Sequence, residues 1–267
     1  SIPAGEIAFA RGLFGTVAVL IIMYMKGIHF SKEDRGLLVM RGLYGGFGMV
    51  CNFIALVHLK LSDATILFQM TGIFVFIFSA LFLKESLPKG AGKWLALIFA
   101  AVMIMVNPFT YESFSWYALV AILGAALAAA AYTTIRTISK RGKRSNVEIM
   151  AYFMITSMFA GLVATDEFVM PQGSECCVIG IIGGISVVAQ FFLTGAFVTT
   201  NAVVAQFLQY VGVFISSFYG FLFFGESLAL VTVIAGIVMF ISSVMLSRLK
   251  EQQGLFKGGK IIEEKTK

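Results

Sequence analysis

Apolar runs of about 20 residues recur from one end of the chain to the other, and no other feature of the sequence constrains its fold as strongly. At 1.5 Å per residue, such a run crosses a hydrocarbon core about 30 Å thick. Bounded by charges, glycine, proline and asparagine, the runs fall near residues 7–25, 37–58, 64–83, 91–107, 116–138, 147–165, 177–198, 202–224 and 227–247, which makes nine spans. A spanning β-barrel would need alternating segments of about 10 residues, and no such alternation occurs. With 59% hydrophobic and only 13% charged residues, and a mean hydropathy of +0.92, water is not the main solvent of this chain. The predicted fold class is an all-α polytopic membrane protein. Most connections are very short, so no soluble domain is available to house an enzyme site.

Eighteen of the twenty Lys and Arg residues fall in four regions: Lys26 to Arg41 with four, Lys84 to Lys93 with three, Arg136 to Arg144 with five, and the tail from Arg248 with six. All four lie on one side of a nine-span arrangement, and by the positive-inside rule that side is cytoplasmic. Arg11, Lys60 and the acidic loop with Asp166, Glu167 and Glu175 fall on the other. The C-terminus is therefore expected in the cytoplasm, with Ser1 outside. The same placement answers the basic pI near 9.2: the charge is topogenic, and no nucleic-acid partner is expected. Cys51, Cys176 and Cys177 are too few for a disulfide framework and wrongly spaced for zinc.

Sliding the chain against itself by 141 residues pairs Gly42 with Gly183, Ala55 with Ala196, Leu67 with Leu208, and Glu85-Ser86-Leu87 with Glu226-Ser227-Leu228. Apolar matches alone carry little weight, but the Glu-Ser-Leu match at the same helix end is harder to attribute to chance. Equivalent positions are five spans apart, and five is odd, so the two copies run through the bilayer in opposite directions. Inverted repeats of this kind build secondary transporters, with the solute site near the midplane. The 116–138 span has no counterpart in the first half, so the expectation is ten spans, the first absent from this chain, which opens at Ser1 without a signal-peptide pattern.

Three stretches resemble a known family: Glu6 with Arg11 in the first span, Leu61-Ser62-Asp63-Ala64-Thr65 through Phe82-Leu83-Lys84-Glu85, and Ala202-Val203-Val204-Ala205 through Gln209-Tyr210 to Phe223-Phe224-Gly225-Glu226-Ser227. The likeness, from about Pro3 to Arg248, is to the drug/metabolite transporter superfamily, EamA type. It implies ten helices in two five-helix repeats, here 1–108 without its first helix and 115–247, followed by a basic cytoplasmic tail, 248–267. It also implies an inner-membrane carrier of amino acids, related metabolites or drugs. Where the family often has a proline in its fourth helix, this chain has Gly72, and at the repeat-equivalent position Val213.

A carrier needs close helix packing and a few polar groups facing a cavity. Gly42, Gly45, Gly46 and Gly48, with Gly180, Gly183 and Gly184 in the repeat partner, suit close approach of backbones. Asn52, Gln69, Gln190, Gln206, Gln209 and Tyr210 lie well inside spans, where an unpartnered amide costs a few kcal/mol, so they are expected to face one another or a watery cavity. Gln206, Gln209 and Tyr210, at i, i+3 and i+4, share a helix face. They are the candidate substrate-binding residues, with interhelical bonding as the plainer alternative; Tyr132 reads as packing. No carboxylate stands at mid-depth, Arg11 lies one turn into its helix where its stem can snorkel, and His58 at a span end reads as a capping group.

The expected function is therefore a secondary transporter that moves a neutral or zwitterionic solute, such as an amino acid, outward or in exchange. The alternatives are a lipid-modifying enzyme, which would need clustered His, Asp, Glu or Cys, and a non-transporting membrane partner. No P-loop is present and no cofactor is expected. The partners are the solute and the bilayer, with room for a homodimer.

Overall fold

The computed structural model describes residues 4–59, 64, 67–84, 89–106, 116–142, 145–165, 173–224 and 230–252. Both Glu-Ser-Leu motifs, Asp63, Asp166, Glu167 and the tail beyond Gln252 lie outside these residues. Every element among the described residues is helical: α1 (Ala4–Met25), α2 (Arg35–His58), α3 (Thr71–Phe78, widening into a π-type turn at Ser79–Leu83), α4 (Ala91–Val106), α5 (Trp116–Arg141), α6 (Asn146–Val163), α7 (Ser174–Thr199), α8 (Ala202–Gln209), α9 (Val211–Phe224) and α10 (Leu230–Gln252). Five of them, α1, α2, α5, α6 and α7, are long and apolar enough to cross a bilayer. Large apolar side chains such as Ile21, Phe47, Ile181 and Phe192 stay exposed on their surfaces, as a lipid solvent allows.

Two of the expected spans are broken. The 64–83 span is interrupted at Met70, and 202–224 at Tyr210, positions one residue apart in the 141-residue register. Each break is a single tight turn: the Met70 N–H donates to the Leu67 carbonyl at 3.1 Å, and the Tyr210 N–H to the Phe207 carbonyl at 3.2 Å. Both residues keep right-handed helical dihedrals. These are therefore local 3₁₀ tightenings made without proline. The last helix also runs on to Gln252, five residues past the span end expected at 247.

The chain forms two compact units, each drawing helices from both halves of the sequence: residues 1–83 with 113–198, and 84–112 with 199–267. In the first unit α6 is central and packs on α1 and α2, while α2 also packs on α5. Here glycine permits contact between backbones. A Cβ on Gly12 would lie 2.5 Å from the Met158 nitrogen, and one on Gly42 would lie 2.7 Å from the Tyr152 carbonyl oxygen. Of the three repeat-partner glycines, Gly183 meets Phe14, but Gly180 and Gly184 face open space, so only the first matches the packing role expected.

The ends of this unit are fastened by polar contacts. Ser145 caps α6 by accepting from the Val147 N–H at 3.3 Å. Glu148, which in a capping box would turn back to Ser145, instead accepts from the Ser31 N–H at 2.7 Å and holds the α1–α2 loop. The basic end of α5 does more than set topology. Arg136 and Ser139 donate to the Val198 carbonyl near the end of α7, at 2.9 and 2.7 Å, and Lys140 donates to Leu83 at the end of α3. Cations suit these carbonyl-rich helix ends.

In the second unit, Ala91, Leu95, Ile98 and Ala101 make one stripe of α4, and Ala235, Met239 and Leu246 make one stripe of α10. The spacing of three and four residues places each stripe on a single helix face. Val203, Val204, Phe207 and Tyr210 complete that core.

Candidate functional site

Within the first unit, α1, α2, α5, α6 and α7 line an open cavity of about 420 Å³, within the size range of small-molecule sites. Its polar lining is Arg11, Arg41, Asn52, Tyr132, Ser186 and Gln190; Met49, Phe153, Ile185 and Leu193 supply apolar walls. Among the described residues, no aspartate or glutamate lines it.

Arg41, on the second turn of α2, is 1% exposed. Its guanidinium carbon stands 4.5 Å from the centroid of the Phe153 ring on α6. A desolvated cation–π contact contributes on the order of 2 kcal/mol, well short of the several kcal/mol lost on taking an ion out of water. Among the described residues, Arg41 Nε has no hydrogen-bond partner. One turn along α2, Gly45 leaves room for this head group, since a Cβ there would collide with Arg41 Nη1 and with the Phe153 ring.

Tyr132 on α5 is half-buried and stacks on Phe197 of α7, with ring centroids 4.5 Å apart and planes 14° apart. Gln190 on α7 is buried, and its Nε2 donates to Thr194 Oγ1 at 3.4 Å. Asn52 Oδ1 is buried without a partner among the described residues and lies against α5 where Gly124 has no side chain. The cavity therefore offers donors from two guanidiniums, a phenol, a hydroxyl and two amides, with acceptors from the amides, the phenol and the hydroxyl.

Of the six candidates from sequence, the structure brings Asn52 and Gln190 together in this cavity. Gln69 is half-buried in the turn before Met70 and is not part of the lining. Gln206, Gln209 and Tyr210 belong to the second unit. There Gln209 Nε2 approaches Gln206 Oε1 at 3.5 Å, and Tyr210, 1% exposed, packs edge-on to Phe207 at 5.3 Å in the apolar core. His58 is exposed, its Nδ1 bonded to the Ile54 carbonyl at 2.8 Å and its ring stacked on Tyr117, in keeping with a capping group.

Three expectations need correcting. Arg41 is not a cytoplasmic loop charge, and Arg11 is not simply a snorkelling stem: both line the cavity. Tyr132 likewise does more than pack. The sequence held a usable signal for Arg41, which falls four residues inside the 37–58 span, where a charge is expensive and marks function. Among the described residues no cluster of His, Cys, Asp or Glu could hold a metal, and Cys51, Cys176 and Cys177 form no disulfide.

Residues 1–107 match the model of the EamA-like transporter family. The chain is 34% identical over 253 residues to a pseudopaline exporter of Pseudomonas aeruginosa, covering 94% of this chain and 88% of that protein. It is 26% identical to an S-adenosylmethionine uptake transporter of Rickettsia felis (83% and 75% covered) and 24% identical to a riboflavin transporter of Brucella anthropi (77% and 74%). A solved crystal structure overlays with a TM-score of 0.76 over 95% of this chain and 90% of that one, at 15% identity, a likeness of fold.

Proposed function

The chain belongs to the EamA-like transporter family and is an integral membrane transporter of a small metabolite, not an enzyme, and on that premise we propose that it carries an amino-acid-like solute out of the cytoplasm by alternating access. The observation that carries this reading is the polar cavity lined by bilayer-length helices of the first unit. Hydrogen-bonding side chains at that depth are stable only against one another or against a hydrated solute path. The similarity to an exporter over 94% of this chain and 88% of that protein supports the outward direction over uptake. The inverted halves supply two arrangements of the same elements between which a carrier rocks, and the breaks at Met70 and Tyr210 stand at corresponding places in those halves. The membrane in this reading is the inner membrane, with the C-terminus cytoplasmic.

Direction and class are tested by producing the chain in a bacterial host and following amine-bearing carboxylic metabolites in cells and medium. Several-fold enrichment in the medium over a vector control is expected. Accumulation inside the cells would reverse the direction, and no redistribution of any solute would remove the carrier reading.

Orientation has its own test. In a background with Cys51, Cys176 and Cys177 replaced by serine, single cysteines at Ser31 and Ser145 are expected to resist an impermeant thiol reagent in intact cells, whereas one at Ser113 labels. Labelling at Ser145 from outside would overturn the topology and, with it, the inverted repeat.

A further inference from the structure

The carrier reading leaves open which solute chemistry the cavity selects, and the inference that follows rests on that reading. Arg41 and Arg11 line one cavity, and a guanidinium keeps its charge under all physiological conditions. Arg41 is fully buried, its Nε has no hydrogen-bond partner among the described residues, and its guanidinium packs over the ring of Phe153. Buried charges in membranes are otherwise paired. The two carboxylates buried among the described residues, Glu6 and Glu148, are not in the lining, and Glu148 is engaged by the Ser31 backbone. A neutral zwitterion would leave the two positive charges of the lining uncompensated.

We propose that this cavity is an anion site in which Arg41, with Arg11, receives the carboxylates of a solute that carries net negative charge, with Tyr132, Asn52 and Gln190 reading its remaining polar groups. A carboxylate fits better than a phosphate. The lining residues are embedded in helices, so backbone N–H groups are committed to helical bonding and only side-chain donors face the solute. The planar fork of a guanidinium matches two carboxylate oxygens, and two forks without a backbone N–H cradle suit a solute with more than one carboxylate, whereas phosphate sites commonly add backbone N–H groups at a helix N-terminus. Gly45 acts as a positioning residue by keeping the space that the Arg41 head group occupies.

The test uses the purified full chain, its Arg41→Gln and Arg41→Lys variants, and thermal unfolding with citrate, 2-oxoglutarate and L-glutamate, against L-glutamine and glycerol 3-phosphate. At least one of the three carboxylates is expected to raise the melting temperature of the unmodified chain at millimolar concentration while L-glutamine does not, because a ligand stabilises the state it binds. Arg41→Gln is expected to weaken that response on the order of thirtyfold or more, and Arg41→Lys less. Without ligand, Arg41→Gln is expected to melt at or above the parent temperature, since an uncompensated buried charge is removed; a purely structural arginine would give a lower one. No response to any carboxylate, an equal response to L-glutamine, a larger one to glycerol 3-phosphate, or an undiminished one in Arg41→Gln would each overturn the proposal. The export experiment separates the two readings: neutral or cationic solutes moved equally by the parent and Arg41→Gln would leave the carrier standing and remove the anion site.

Discussion

Replacing Tyr210 by alanine is expected to cost about 3–5 kcal/mol, the range for truncating a large aromatic side chain in a packed core. The ring is 1% exposed and sits edge-on to Phe207 in the cluster that joins α4, α8 and α10. Deleting it removes the ring from that cluster and leaves a void that rigid helices fill only in part. It also loses the aromatic pair, worth roughly a further 0.5–1.5 kcal/mol. For a chain of this size the melting temperature should fall by roughly 6–20 °C, while Tyr210→Phe, which keeps the ring, should lose far less. The same purified variants also decide whether Tyr210 contacts solute. Unchanged transport per folded molecule in Tyr210→Ala would remove it from the solute path, and a transport loss with an unchanged melting temperature would show that the ring lines a cavity.

Gly161→Ala is expected to destabilise the first unit by about 1–3 kcal/mol or more, the usual range for overpacking, and Gly161→Leu to yield no folded protein. A Cβ at this position would collide with the Phe9 backbone nitrogen and lie 2.8 Å from Phe9 Cα and 2.9 Å from the Ala8 carbonyl carbon. These are backbone atoms of α1, so no rotamer change relieves the clash and the helices must separate. Gly12 makes the reciprocal approach to Met158, so separation at one end opens the whole seam. In a bilayer this loss is not offset by hydrophobic association, because lipid is as apolar as the helices. Gly184→Ala is the control: nothing lies within 4 Å of its added Cβ, so its stability should be unchanged or slightly raised by the better helix propensity of alanine. Thermal unfolding of the two alanine variants in one detergent, with the yield of folded Gly161→Leu, checks the series, and equal melting temperatures for Gly161→Ala and Gly184→Ala would refute the close contact.

The legible part of this protein was the part set by its solvent. Hydrocarbon forces every backbone polar group to be satisfied within its own segment, so length and apolarity alone located the helices, and five described helices are long and apolar enough to span. Family membership was legible from short runs of residues read in sequence order, which need no tertiary structure. Periodicity could not assign faces, because helices bathed in lipid are apolar all round and amphipathic contrast is weak. Asn52 and Gln190, 138 positions apart, meet in one cavity only because α2 and α7 are folded around it, whereas Gln206, Gln209 and Tyr210, adjacent on one helix, belong to the other compact unit. Arg41 shows the limit most plainly. In sequence it is the last charge of a basic loop, counted toward topology. Its depth depends on where α2 begins, at Arg35, and its burial on Phe153, Gly45 and the helices around them. The sequence thus determined the solvent, the elements and the family. Only the tertiary structure decided which polar groups share a cavity and that two of them carry charge, because that depends on which helix faces meet, and in lipid hydrophobicity does not encode the choice.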